Sequence, residues 1–282
     1  MTDTYPAPAK INLYLRITDL LANGMHALDT VFVYTDLCDQ IQVDESEQIV
    51  VTCSEARLSG EKNLVHHLLT ALQREYSIRR GLRLHIDKRI PDQAGLGGGS
   101  SDAATALMIA NQRWQLQMSR DAMIAFAAPF GADIPCFLFQ QASRATGIGE
   151  QLQPYNQPLP SGALLLAKPA SGLSTAAVFA HFDRALTTRP ALDTIRRDPP
   201  QLAENDLQAS ACALNPDVAK LLAAMQSEAV TAWMSGSGSA CVALLDDADA
   251  ACALAAELKQ QQLAEWTHVG MISSIHPLHL GT

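Results

Sequence analysis

The run Gly95-Leu96-Gly97-Gly98-Gly99-Ser100-Ser101-Asp102 stands between a strand-like and a helix-like segment, and it restricts what the chain can become more than any other feature. Upstream, Leu82, Leu84 and Ile86 alternate with Arg83, His85 and Asp87, the period of a half-buried strand. Downstream, Ala103 to Arg113 reads as a helix whose Ala103, Ala104, Ala106 and Ala110 permit close packing. A glycine-serine turn at such a junction lets backbone N–H groups point at an anion without interference from Cβ atoms, and the helix dipole adds partial positive charge. Phosphate is the natural guest. The run is not a Walker loop, since no Gly-Lys-Ser/Thr follows, and Ser100 stands where G-x-G-x-x-G requires its last glycine. A flexible turn capped by Ser100 or Ser101 is the alternative; Pro91, fixing the entrance, favours the anion site.

Three other segments carry candidate chemistry. Met234-Ser235-Gly236-Ser237-Gly238-Ser239-Ala240 is a second glycine run, here before an apolar strand, and by itself it also fits an ordinary turn. Gly131-Ala132-Asp133-Ile134-Pro135 sets a carboxylate between apolar neighbours; Asp133 is either a helix or turn cap or a desolvated acid placed for proton transfer. Lys10, in Pro8-Ala9-Lys10-Ile11-Asn12-Leu13, is an isolated cation entering a strand, a position that usually faces solvent.

Around these segments strands and helices mix without a strict βαβ rhythm, which predicts an α+β fold. Strands are expected at Ile11–Leu15, Thr30–Tyr34, Asp39–Val43, Ala163–Ala167 and Ala240–Leu245. Helices are expected at Asn63–Tyr76, Arg120–Ala128, Asp217–Met225 and Asp247–Gln261. The Pro- and Gly-rich stretch Gln151–Gly162 is the candidate connection between two domains, 1–155 and 156–282.

Composition narrows the function classes. The net charge of -9 and the absence of a Lys/Arg cluster argue against a nucleic-acid partner. No run approaches the ~18 apolar residues of a membrane span, and Met1–Pro6 lacks the basic start and apolar run of a signal peptide, so the cytoplasm is the expected compartment. Six cysteines without a C-x-x-C pair read as buried thiols rather than a metal site or disulfide framework. An anionic small substrate needs a few cations focused in a cleft, and Lys10, Arg16, Lys62, Lys88, Arg89 and Lys168 are the candidates.

Together, Ala9-Lys10-Ile11-Asn12-Leu13, His26 after Asn23-Gly24, Ile86–Pro91, the central glycine run, Gly131–Pro135, Asn205-Asp206-Leu207 and Ser235–Cys241 resemble the galactokinase, homoserine kinase, mevalonate kinase and phosphomevalonate kinase superfamily, the GHMP kinases. The match looks closest to the branch whose substrate carries a cytidine diphosphate group. The resemblance implies two domains, an N-terminal α+β nucleotide-binding domain and a C-terminal ferredoxin-like α+β domain. It implies ATP as phosphoryl donor, with Mg2+ expected alongside it and Ser100 or Ser101 as a possible hydroxyl ligand. Asp133 would be the general base and Lys10 the charge stabiliser, while Pro91, Gly95, Leu96, Gly97, Gly98, Gly99, Ser100 and Ser101 would hold the triphosphate. Asn12, Met25, His26, Thr175 and Phe179 would contact the substrate, with His26 on the cytosine edge. Met25 departs from the pattern, since relatives commonly place a tyrosine there to sandwich the base. A non-catalytic nucleotide sensor is the rival reading, and retention of Lys10 and Asp133 speaks against it.

Overall fold

The structure is a computed structural model that describes residues 3–186, 200–228 and 231–279. Two sheets lie face to face, each with helices on its outer side, so the order of layers is helix, sheet, sheet, helix. The first sheet is organised by β2 (His26–Ser46), which pairs along one edge with β1 (Asp3–Leu20). Along the other edge, β2 pairs with β5 (Ser143–Thr146) near its start and with β4 (Gly81–Asp87) near its end. β3 (Val50–Cys53) and β6 (Gln151–Pro154) extend this sheet, which α1 (Leu64–Glu75), α2 (Gly98–Trp114), α3 (Arg120–Ala127) and α4 (Ile134–Leu138) cover.

The second sheet comprises β7 (Ala163–Lys168), β8 (Thr231–Met234), β9 (Cys241–Leu245) and β10 (Trp266–Gly270), antiparallel and in the order β10-β7-β9-β8. Between β7 and β8 run α5 (Thr175–Leu186), α6 (Gln208–Leu214) and α7 (Pro216–Glu228), and α8 (Ala248–Gln260) joins β9 to β10. This is the ferredoxin-like βαββαβ arrangement with extra helices in its first crossover. A last short strand, β11 (Ile272–Ser273), returns to pair with β2 in the first sheet.

Burial on both faces explains why these strands read as continuous apolar runs. In β7, Leu164 and Leu166 pack between the sheets with Ile11, Val33 and Trp233, while Leu165 and Ala167 face α5, α7 and α8. Each such leucine contributes about 1.5–3 kcal/mol of burial. α1 follows its predicted pattern, with Val65, Leu68, Leu69 and Leu72 buried and the Asn63 side chain accepting a hydrogen bond from the Val65 N–H at 2.8 Å.

Several elements differ from expectation. β1 and β2 are far longer than the short strands predicted, because pairing with each other carries them through Pro6 and Pro8, which lie on the edge strand of the sheet. Thr30–Tyr34 and Asp39–Val43 are two parts of β2 rather than two strands. α2 begins at Gly98, inside the glycine run, since packing on all sides overrides the poor helix propensity of glycine. Gln151–Pro154, read as connection, is strand, so the connection from β6 to β7 is residues 155–162. All six cysteines are free, but only Cys53, Cys136 and Cys241 are the buried thiols expected; Cys38 and Cys212 are half-buried, and Cys252, off the buried Ala251-Leu254-Ala255-Leu258 stripe of α8, is exposed. Among the described residues no helix is long and apolar enough to cross a membrane.

Candidate active site

The two glycine runs, far apart in sequence, meet in space. Gly95 has φ +75°, and a Cβ there would sit 2.4 Å from the Ser235 carbonyl oxygen. Gly97 has φ +73°, and a Cβ would sit 2.9 Å from the Phe137 ring. Only glycine meets both demands, a left-handed backbone and direct contact with another chain segment. The runs are stitched by the Ala240 N–H donating to the Ala94 carbonyl at 3.0 Å and the Ser235 hydroxyl donating to the Gly95 carbonyl at 3.3 Å.

Gly97 caps α2, so the N–H groups of Gly98, Gly99 and Ser100 belong to a first turn that has no carbonyl one turn earlier to bond. These are the donors the sequence assigns to phosphate. Ser101 is different: its N–H is spent on the Gly97 carbonyl at 2.8 Å, and its hydroxyl is fully buried with no partner among the described residues. The cradle therefore runs from Gly95 to Ser100, and Ser101 faces the interior.

Lys10 lies against this cradle, its N–H donating to the Leu96 carbonyl at 2.9 Å. Unlike the usual strand-entry lysine it is buried, 3% exposed, with Nζ donating to Asn12 Oδ1 at 2.9 Å and lying 5.2 Å from the Phe32 ring centroid. The same ammonium is 3.6 Å from Asp133 Oδ2. Asp133 occupies the N-cap position of α4, yet its side chain makes no capping bond and is 38% exposed. The carboxylate is thus not spent on the helix, and its exposure shows that it is not the desolvated acid of the alternative reading either. Asn12 is held in turn, donating to Thr30 Oγ1 at 2.8 Å.

Behind the cradle is a cluster that sequence reasoning missed. Lys88 Nζ donates to Asp39 Oδ2 and, at 2.7 Å, to Asp102 Oδ2, and all three side chains are at most 5% exposed. Burial works to lower the Lys88 pKa, but Asp102 and Asp39 outweigh it and raise it. Burial pushes the Asp102 carboxyl up; Lys88 opposes this, and the nearby Asp39 charge reinforces it. Asp39 also accepts the N–H groups of Arg89 at 2.6 Å and Ile90 at 2.8 Å, fixing the entrance to the glycine run. Lys88 was a candidate cation, but Asp39 is distant in sequence and sits in an ordinary strand pattern, so nothing local marks the pair.

A cleft of about 760 Å³ joins these parts and is lined by Lys10, Asn12, Pro91, Gly95–Ser100 and Asp133. It also takes in Met25, His26, Thr175 and Phe179 from two separated segments. The His26 ring lies 4.8 Å from Phe179, tilted by 34°, and Thr175 Oγ1 is 2.8 Å from Ser237 Oγ. Met25 is 42% exposed at the rim. Of the residues assigned to the phosphates, the substrate and the chemistry, Ser101 alone stands outside the lining, but of the six candidate cations Arg16, Arg89 and Lys168 also do: Arg16 is paired with Glu204, Arg89 with Asp87, and Lys168 donates to the Pro169 carbonyl. Ser237, Thr30, Arg57 and Asn63 are additional lining residues. Arg57 lacked any local signal, whereas Asn63 was read only as the cap it also is.

Two family descriptions match: "GHMP kinases N terminal domain" over residues 63–141 and "GHMP kinases C terminal" over residues 185–264. A 4-diphosphocytidyl-2-C-methyl-D-erythritol kinase of Acidovorax sp. (strain JS42) is 35% identical, over 93% of this chain and 96% of its own length. Its counterpart from Shewanella oneidensis is 39% identical over 84% of this chain and 83% of its own. The chain belongs to the 4-diphosphocytidyl-2-C-methyl-D-erythritol kinase family, within the GHMP kinases. A crystal structure of a 4-(cytidine 5'-diphospho)-2C-methyl-D-erythritol kinase superposes with a TM-score of 0.79 at 28% identity, covering 96% of this chain and 99% of that one. Membership in this kinase family accords with an α+β fold of two sheets and with a cleft that places a glycine cradle beside a lysine-carboxylate pair.

Proposed function

We propose that this chain is an ATP-dependent kinase that phosphorylates the 2-hydroxyl of 4-diphosphocytidyl-2-C-methyl-D-erythritol, a step of the non-mevalonate isoprenoid route. The observation that carries the chemistry is the 3.6 Å approach of Lys10 Nζ to Asp133 Oδ2 at the mouth of the glycine cradle. Phosphoryl transfer leaves little covalent work to a protein, so an acid that orients a hydroxyl and donors that spread negative charge are the parts required.

In this reading the Asp133 carboxylate accepts the hydrogen bond, and then the proton, of the attacking hydroxyl. Lys10 holds Asp133 in place and faces the oxygen on which negative charge develops. The N–H groups of Gly98, Gly99 and Ser100 bind the phosphates, with the α2 dipole behind them. Mg2+ would arrive with the nucleotide and offset phosphate charge. Ser100 lines the cleft and can offer it a hydroxyl, whereas the enclosed hydroxyl of Ser101 cannot reach it.

At the other end of the cleft, Asn12, Met25, His26, Thr175 and Phe179 would receive the cytidine diphosphate group, with Phe179 against the base and His26 on its edge. The first sheet and its helices, within residues 1–155, would hold the nucleotide. The substrate would lie between them and the 156–282 portion that supplies Thr175 and Phe179. The test is turnover with ATP and the cytidyl substrate set against mevalonate and homoserine, with competition by cytidine diphosphate. Phosphorylation of the cytidyl compound alone is expected, and its absence overturns the reading.

A further inference from the structure

α5 presents Thr175, Phe179 and Asp183 at successive four-residue intervals, which places them on one face of the helix. Two of these, Thr175 and Phe179, line the cleft. The third reaches His26: Nε2 of the ring is 2.6 Å from Asp183 Oδ1. His26 is thereby held by two residues of the same helix face, with Phe179 against the ring and Asp183 at its edge, while Phe182 packs edge-on at 6.2 Å. The His26 side chain is 9% exposed, so its orientation is set by these contacts rather than by solvent.

A carboxylate only accepts hydrogen bonds, so Nε2 must carry the proton that Asp183 receives. A neutral imidazole has one N–H, and the assignment of that proton to Nε2 leaves Nδ1 with its lone pair. Among the described residues Nδ1 has no hydrogen-bond partner; unlike His181 Nδ1 and His276 Nε2 it is not fully enclosed, and His26 lines the cleft. An acceptor on the residue that lines the base end of the cleft suits a donor on the ligand. Cytosine carries an exocyclic amino group where uracil carries a carbonyl oxygen, and an oxygen set against the Nδ1 lone pair is repelled.

We infer that Asp183 is a specificity-determining residue: by fixing His26 as the Nε2–H tautomer it makes Nδ1 an acceptor for the 4-amino group of a cytosine, and so selects cytidyl over uridyl substrates. The inference rests on the cytidyl reading of the cleft. It differs from a merely structural tie because an amide in place of the Asp183 carboxylate keeps the contact while losing the instruction. The side-chain amide of an Asp183→Asn variant would accept from Nε2–H through its oxygen or donate to a bare Nε2 through its nitrogen, so both tautomers become available.

The experiment compares wild type and Asp183→Asn, a change at a 42% exposed side chain that the fold tolerates. KM and kcat are measured for the cytidyl substrate and its uridyl analogue in mildly alkaline buffer, with the KM for ATP as the control for an intact fold. In Asp183→Asn the KM for the cytidyl substrate should rise about tenfold, with a smaller change in kcat and none in the KM for ATP. The preference for cytidyl over uridyl should shrink by at least about tenfold. Nitrogen-15 spectra of the His26 ring in the wild-type protein should show a protonated Nε2 and a bare Nδ1. A ring protonated on Nδ1 or on both nitrogens, or an unchanged base preference in Asp183→Asn, overturns the role of Asp183 while leaving the kinase reading intact. A wild-type protein that turns over neither substrate overturns that reading and this one with it.

Discussion

Two lysine-carboxylate clusters flank the glycine cradle, and they are built to opposite specifications. Lys88 is closed in by Asp39 and Asp102, all three side chains at most 5% exposed, with the Asp102 contact at 2.7 Å. Lys10 is equally buried, but its carboxylate partner Asp133 stands off at 3.6 Å and is 38% exposed. A dry, tightly paired cluster spends its charges on one another and on the β2–β4–α2 junction. A half-wet, loosely paired one keeps a carboxylate free to meet a hydroxyl and an ammonium free to meet developing charge. Lysine and aspartate at similar spacing from one loop therefore do different work, and solvent access is what separates them.

The sharpest way to break this contrast is Asp133→Asn. It should lower kcat by about 10²–10⁴-fold with little change in melting temperature, since no capping bond is lost. Near-normal turnover of that variant would remove Asp133 from the chemistry. Lys88→Met should do the reverse. It leaves Asp39 and Asp102 buried without their cation, and a loss of about 3–5 kcal/mol is expected in denaturant titration. A Lys88→Met protein as stable as wild type would mean that the closed cluster carries no structural load. Lys10→Met should cost about 10²-fold in kcat but only about 1 kcal/mol in stability, because Asp133 can turn to water.

A smaller effect separates the clusters by pH. Burial, opposed by Lys88 and reinforced by Asp39, raises the Asp102 carboxyl to about 8. The folded protein therefore holds a proton that the unfolded chain, with its ordinary value of about 4, releases across that interval. Stability from this group is full at low pH and is lost as pH rises from about 4 to 8. Asp102→Asn should flatten that part of the stability profile, measured by thermal melts at a series of pH values; an unchanged slope would place Asp102's proton elsewhere. The mildest change lies outside both clusters. Met25→Tyr should lower the KM for the cytidyl substrate severalfold, about 1 kcal/mol of stacking, with kcat and melting temperature unmoved. A raised KM would count against Met25 covering the base.

The legible parts of the molecule were those written in local pattern. α1 and its Asn63 cap, the strand before the glycine run, and the Asp247-capped α8 each follow from residues within one segment. The glycine run marked a tight turn into a helix because glycine, strand end and helix start are contiguous. Less legible were β1 and β2, whose length comes from pairing with each other through prolines that local propensity counts against. Ser101 shares the composition of the run but turns inward, since in a helix neighbouring residues point about 100° apart and only one side of the first turn opens on the cleft. Asp183 had no signal at all: an aspartate among Phe182, Arg184 and Ala185 reads as a solvated helix position until His26, from the start of β2, is set beside it.

The sequence by itself determined the α+β class, the glycine-rich turn at a strand-helix junction and the identity of the residues available for chemistry, because backbone period, glycine content and residue type are local properties. Only the tertiary structure decided which of those residues act together. Burial and distance, not type, made Lys88 a strut and Lys10 a candidate catalyst, released Asp133 from capping, and placed an α5 carboxylate on the ring that would read the base. Those are sums over segments distant along the chain, and no window of sequence contains them.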